Sequence, residues 1–300
     1  MWRYRRSIPP LATWKKTTLG EGLTPLVEIQ PRVMAKLEQV APTGSFKDRG
    51  TAVLISLASD LGARAVVADS SGNAGKSVAA YAARAGLAAE IFVPTGTPQA
   101  KTAAAEASGA RVVIVDGDRA AAADAARTRV DNTSSFYATH VHQPVFVHGV
   151  KTIAFEIWEQ LAGASPATVI VPAGNGTLVQ GMWLGFNELR AAGRVGKLPR
   201  IVAVQAERCA PLAGLPPSEF PTAAAGIAIS KPPRAGQVRA AVLASGGSVL
   251  TVAEEDLTDA QADLAERGIS VEITSAAVWA AWRANGDSLE RPAVIVLTGR

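Results

Sequence analysis

A lysine, two glycine-rich loops and a terminal hydroxyl are the residues of this chain whose types and spacing suit chemistry. Lys47 follows the turn-forming run Pro42-Thr43-Gly44-Ser45-Phe46 and precedes Asp48-Arg49-Gly50. The spacing places it on the first turn of a helix. Ser45 is the expected N-cap and Asp48 its acidic partner three residues on, a pattern that satisfies the orphan amides of a helix start. The positive end of a helix disfavours an ammonium, so Lys47 is expected to be available as a neutral amine, the form that makes a Schiff base with an aldehyde. The same text also fits an ordinary capped helix with a solvated lysine.

Two further loops follow strand-like runs. In Asp69-Ser70-Ser71-Gly72-Asn73-Ala74-Gly75-Lys76-Ser77, small residues at a helix start leave backbone amides bare for a carboxylate or phosphate. The ending Gly75-Lys76-Ser77 is that of a nucleotide P-loop, but Ser70 stands where the leading glycine belongs. In Pro172-Ala173-Gly174-Asn175-Gly176-Thr177, two glycines permit close backbone approach to an anion and Thr177 adds a hydroxyl. As a dinucleotide fingerprint this loop is imperfect, because the third glycine is Gly181, although Glu207 could serve as a ribose-binding acid. A nucleotide-binding oxidoreductase or a kinase therefore stays open at this point. Thr298, just after the apolar run Val294 to Leu297, offers one more hydroxyl. His140, His142 and His148 lie close together without an acidic partner, which reads as pocket lining or surface, and no metal site is assigned.

One lysine and two anion loops together suit a ligand with one carbonyl and two anionic groups. Pyridoxal phosphate carrying an amino acid has them: aldehyde to Lys47, cofactor phosphate to Gly174 through Thr177, substrate carboxylate to Ser71 through Ala74. The ring would act as an electron sink.

The elements that must position these residues alternate. Apolar runs at Ala65 to Ala68, Glu90 to Val93, Val112 to Val115 and Phe136 to Thr139 are separated by alanine-rich helical text at Ser77 to Ala85, Gln99 to Ser108 and Arg119 to Arg129. The rhythm resumes with Val150 to Leu161, Thr168 to Val171, Leu178 to Ala192 and Ile201 to Gln205. Continuous apolar strands between helices predict an α/β fold of parallel sheets covered on both faces, with ligand loops beyond the strands' carboxyl ends. A strand is also expected over Val33 to Val40. The helix carrying Lys47 is expected to run through Thr51 to Leu61 and stop at Gly62. The proline-rich text from Cys209 to Arg234, including Pro216 and Pro217, reads as an ordered loop. Helix, strand, helix and helix follow at Gln237 to Ala244, Ser248 to Val252, Glu255 to Arg267 and Thr274 to Ala284, before the closing strand Ala293 to Leu297. A seam between two lobes is placed at His140 to Gly149, where histidine, proline and aromatic residues replace alanine.

Composition narrows the function classes. With 300 residues, of which 48% are hydrophobic, there is material for a large core. Basic residues exceed acidic ones by 30 to 26, and the isoelectric point is about 9.4. Part of that excess sits in Arg3, Arg5, Arg6, Lys15 and Lys16, and no basic stripe with interleaved aromatics follows, so nucleic acid is not the expected partner. A single cysteine, Cys209, excludes an internal disulfide and suits a reducing cytoplasm. The opening residues do not read as a secretory signal, and no run has the apolar length of a membrane span.

The block Pro42 to Arg49 resembles the cofactor-lysine motif of the threonine synthase-like family, within the fold type II, or tryptophan synthase β, group of pyridoxal phosphate enzymes. Glu21-Gly22-Leu23-Thr24-Pro25-Leu26, Ser70 to Gly75, Val171 to Gly176 and Leu297-Thr298-Gly299 resemble its other blocks in the same order. The resemblance implies a two-lobed fold, with 33–143 as the smaller lobe and 1–32 with 144–300 as the larger. It implies a cytoplasmic homodimer that eliminates or replaces a group at Cβ or Cγ of a small amino acid. Lys47 would bond the cofactor and shuttle the Cα proton, Asn73 would contact the ring hydroxyl, and Gly174, Asn175, Gly176 and Thr177 would hold the phosphate. Thr298 would face the ring nitrogen, while Ser71, Gly72, Asn73, Ala74, His140 and Phe146 would surround the substrate. A serine or threonine ammonia-lyase and a β-replacement synthase of the cysteine or cysteate type are the alternatives within this chemistry. One departure bears on the choice. Where threonine synthases carry Asn-Ser and then an arginine for the substrate phosphate, this chain has His140-Val141-His142-Gln143-Pro144-Val145-Phe146. Loss of a charge-assisted pair weakens binding of a dianion, so this departure weighs against phosphohomoserine and leaves the substrate open, with the threonine synthase reaction the nearest named activity.

Overall fold

The computed structural model describes residues 1–9, 16–216 and 218–300; the expectations that touch Lys15 and Pro217 lie outside them. Strands and helices follow in the order β1 (Leu26–Gln30), β2 (Val33–Leu37), α1 (Lys47–Asp60), β3 (Ala65–Ala68), α2 (Asn73–Ala85), β4 (Ala88–Pro94), α3 (Gln99–Ala107), β5 (Arg111–Val115), α4 (Arg119–Asp131) and β6 (Phe136–Tyr137). After α5 (Pro144–Val150) and α6 (Thr152–Gln160) come β7 (Thr168–Pro172), α7 (Thr177–Ala191), β8 (Arg200–Ala206), α8 (Ala235–Ala244), β9 (Ser248–Val252), α9 (Glu254–Glu266), α10 (Ile273–Asn285) and β10 (Ala293–Leu297). Among the described residues no helix is long and apolar enough to cross a membrane.

The chain divides into two compact units, Met1–Gly22 with Ala41–Gly149, and Leu23–Val40 with Val150–Arg300. In the first, a parallel sheet of order β5-β4-β3-β6 is built from the alternating runs. Its short edge strand stops at Tyr137, two residues before the expected Thr139. In the second, the order is β1-β2-β10-β7-β8-β9, parallel throughout except for the β1–β2 hairpin. Every residue of β7 and β10 is buried, which is why both read as unbroken apolar runs. The expected strand to Val40 ends at Leu37, and Glu38–Val40 turn as a 3-10 helix.

The divisions at 33 and 143 differ from these units in both directions. Residues 33–40 belong to the second unit because β2 pairs with β10, Val33 beside Ala293 through Leu37 beside Leu297. The first 22 residues belong to the first unit, where buried Glu21 accepts from Tyr81 Oη of α2 at 2.7 Å and from Leu19 N at 3.0 Å. A buried ion pair fixes the hairpin in the second unit. Lys36 Nζ, on β2, donates to Glu156 Oε2 of α6 at 2.8 Å, to Gln160 Oε1 at 2.9 Å and to Thr24 O at 2.7 Å. Leu23 N donates to the other oxygen of Glu156 at 2.8 Å.

Candidate active site

In the first unit Lys47 opens α1, half-buried, with Nζ 4.0 Å from the centroid of the Phe46 ring. The expected cap is not the one that forms. Phe46 takes the N-cap position without a side-chain cap, and the buried Ser45 hydroxyl makes no hydrogen bond. The first turn closes through the backbone instead, Asp48 N to Ser45 O and Arg49 N to Phe46 O. Asp48 is directed elsewhere. Its carboxylate accepts from Thr43 N at 2.7 Å, Thr43 Oγ1 at 2.5 Å and Ser77 Oγ of α2 at 2.7 Å. It therefore ties the turn before the lysine, the lysine helix and the next helix together. Burial raises its pKa, and the bonds from Ser77 and Thr43 oppose that rise.

The loop Asp69 to Gly72 leaves the end of β3 and enters α2 at Asn73, with Gly72 as N-cap and no capping side chain. Ser71 and Asn73 are half-buried, Gly72 is exposed and Ala74 is buried. Gly75 is obligatory: a Cβ there would stand 1.7 Å from Ser70 O, so the loop carbonyl occupies the space that any other side chain needs.

The text read as an irregular seam contains α5. Pro144 begins it, as prolines commonly begin helices because their missing N–H is not needed there. Phe146 has no exposed surface and its ring lies over Gly50, where a Cβ would fall 2.6 Å from three ring atoms. A Cβ on Gly149 would lie 2.0 Å from Arg49 O. Phe146 thereby packs α5 against α1. His140 is half-buried, its ring 5.8 Å from that of Phe146. Among the described residues no group of histidine, cysteine and acidic side chains is placed to hold a metal.

In the second unit the turn after β7 holds Gly174, Asn175, Gly176 and Thr177. Gly176 is the N-cap of α7, with φ at +84°, and brings no capping side chain to the amides of the first turn. Neighbours press on the turn from outside. A Cβ on Gly174 would stand 2.9 Å from Gly226 O, and one on Gly176 would stand 2.1 Å from Val238 Cγ2 of α8. Thr177 is buried and Asn175 half-buried. Thr298, beyond the end of β10, is buried with its hydroxyl 3.0 Å from Ser275 Oγ on α10, and Gly299 N donates to the same Ser275 oxygen at 2.7 Å.

Four polar residues, Thr43, Ser77, Gln205 and Ser275, had no positioning role assigned from sequence, although Thr43 and Ser77 stand in the runs quoted there. Each lies on an ordinary turn, helix or strand, and its partner is set by tertiary packing. The only available signal was polarity inside an apolar run, as at Gln205 in Arg200 to Ala206.

A family model described as pyridoxal-phosphate dependent enzyme matches residues 17–299. Threonine synthase of Methanocaldococcus jannaschii is 34% identical over 295 residues, covering 92% of this chain and 73% of the relative. Threonine synthase of Synechocystis sp. is 36% identical over 313 residues, covering 99% and 81%. Among solved structures, a threonine deaminase from T.th. matches with a TM-score of 0.78 at 27% identity, covering 89% of this chain and 86% of the other.

Proposed function

Because the chain belongs to the pyridoxal-phosphate dependent enzyme family, we propose that it eliminates or replaces a group at Cβ or Cγ of a small amino acid, with Lys47 as its catalytic amine. The family's cofactor supplies an aldehyde that bonds to primary amines and a conjugated ring that accepts an electron pair from Cα. That membership displaces the oxidoreductase and kinase readings of the two loops.

The donor set of this chain fits the cofactor. The turn Gly174 to Thr177 offers backbone amides at the start of α7 and a hydroxyl to a phosphate, and its glycines let neighbouring segments pack closely behind it. We assign the phosphate to that turn and the aldehyde to Lys47, whose Nζ, when it is a free amine, would accept the Cα proton and return it. Asn73 is assigned to the ring hydroxyl, and Ser71 to Ala74 to the substrate carboxylate, whose charge the start of α2 favours. Thr298 is assigned to the ring nitrogen. Its hydroxyl, held by Ser275, brings no charge to that atom, which favours elimination and replacement over transamination. The observation that carries the proposal is the lysine at the head of α1, clamped through Asp48 to the helix whose first turn holds Asn73.

Phe146 favours a substrate without a second phosphate. The position expected to hold an arginine for that phosphate is a ring sealed against Gly50, with no cation to offer. An ammonia-lyase or β-replacement activity on serine, threonine or an O-acylated serine fits this better than the reaction of phosphohomoserine. The homodimer and the cytoplasmic location belong to the same proposal, and light scattering of the purified protein tests the former.

Purified protein should show an absorption band at the edge of the visible range that disappears in Lys47→Ala. A colourless protein that ignores added pyridoxal phosphate overturns the assignment. Spectral titration with serine, threonine, O-acetylserine, O-phosphoserine and phosphohomoserine then selects the substrate, and rapid turnover of the last overturns the inference from Phe146.

A further inference from the structure

We propose that Gln205 is a positioning residue for the cofactor phosphate, acting through the backbone of the turn that follows β7. This rests on the assignment of that phosphate to Gly174 through Thr177. Gln205 lies on β8 with no exposed surface. Its Nε2 donates to Ala173 O at 3.0 Å, and its Oε1 accepts from Leu212 N at 2.8 Å. Both ends of one buried amide are therefore committed, one to the residue that enters the turn and one to the segment after β8.

That segment returns to the other end of the turn. Arg239 of α8 donates through Nε to Leu212 O at 3.2 Å and through its terminal nitrogen to Pro211 O. Val238, beside it on α8, fills the space a Cβ on Gly176 would need. A closed path thus runs from Ala173 through Gln205, Leu212, Arg239 and Val238 to Gly176, and both ends of the anion turn are fixed from one frame.

The amide is the chemical requirement. The position must donate to a carbonyl and accept from an N–H, and an ionised carboxylate only accepts. Gln205→Glu would set a carboxylate oxygen against Ala173 O and place a buried negative charge under an anion site, opposing the phosphate and leaving the aldehyde end of the cofactor untouched. Gln205→Leu removes the bonds without adding charge.

The test compares apoprotein affinities for pyridoxal phosphate and for pyridoxal, which lacks the phosphate, by absorbance titration. Circular dichroism of each apoprotein checks folding. Gln205→Glu should bind pyridoxal phosphate about 10- to 100-fold more weakly than the wild type at neutral pH, with pyridoxal changed little. The deficit should shrink towards acid pH, relative to the wild type, as the introduced carboxyl regains a donor proton. Gln205→Leu should show a smaller, pH-independent loss that is again confined to pyridoxal phosphate. Unchanged affinity for pyridoxal phosphate, or an equal loss for both ligands, overturns the proposal. Gly176→Ala separates the two levels of inference. If it weakens pyridoxal phosphate while Gln205→Glu does not, only the role of Gln205 fails. If neither weakens it, the phosphate assignment fails as well.

Discussion

Asp48 shows how much one carboxylate beside the lysine at a helix start can be asked to do. It is fully buried and accepts three hydrogen bonds, from Thr43 N, Thr43 Oγ1 and Ser77 Oγ. Asp48→Ala leaves all three donors without an acceptor and should cost on the order of 3 kcal/mol in urea unfolding. Asp48→Asn keeps an acceptor oxygen and should cost less. The pH dependence has a definite sign. Burial raises the carboxyl's pKa in the folded chain above its unfolded value, so between the two values the folded chain binds the extra proton. Stability contributed by Asp48 is then greatest below the unfolded pKa and declines as pH rises through the folded one. The difference in stability between the wild type and Asp48→Asn should change only within that window, and a pH-independent difference would show that the carboxyl's burial has no such effect. None of this was legible in the sequence. The residues suggested a capping box with Ser45, because local spacing is all that a linear motif contains. Ser77 enters only when α2 is laid beside α1. The place of Lys47 on the first turn of α1 was legible, since its turn and helix are contiguous in the chain.

Elements were easier to read than their contacts. Strands covered on both faces betray themselves as continuous apolar runs, and the expected limits of β3 and β10 match the observed ones, as do those of the more exposed edge strand β9. The helix α5 was missed. Seven residues are too few for a 3.6-residue period to emerge, and the mixture of proline, histidine and aromatic side chains looks like a loop. Its importance lies in two close approaches to α1, the Phe146 ring over Gly50 and Gly149 against Arg49 O. Gly50→Ala drives a methyl group into the ring at 2.6 Å. It should destabilise the protein by about 1–3 kcal/mol, as overpacking of a well-filled core does. Phe146→Leu in the same chain should restore part of that loss, because the smaller side chain vacates the space the methyl group needs. Chemical denaturation of the two single variants and the double variant measures the coupling. Strict additivity would mean that the ring does not set the separation of the two helices.

At the scale of the whole molecule, the sequence announces an α/β protein but does not say which pieces belong together. The rhythm of strands and helices is local, while membership of a unit is decided by pairings such as Val33 with Ala293, which no period encodes. That is why the expected boundary at 33 placed β2 in the wrong unit. A physical consequence follows for truncation. Residues 150–300 form most of the second unit but lack β1 and β2. Alone, they would leave β10, buried along its whole length, as an open edge with unpaired backbone groups, the usual template for association between chains. They would also leave Glu156 without Lys36, and breaking a buried pair by removing one partner costs about 3–5 kcal/mol. Those two losses are comparable with the entire stability of a typical domain. The fragment 150–300 should therefore be recovered as aggregate. A chain in which 23–40 is joined to 150–300 by a flexible Gly/Ser linker restores both the strand beside β10 and the cation beside Glu156, and should be soluble with a cooperative thermal transition. If the fragment 150–300 alone is soluble and unfolds cooperatively, the hairpin is an accessory to the larger sheet. If only the joined chain does so, eighteen residues near the amino end complete a core built almost entirely from the other half of the sequence.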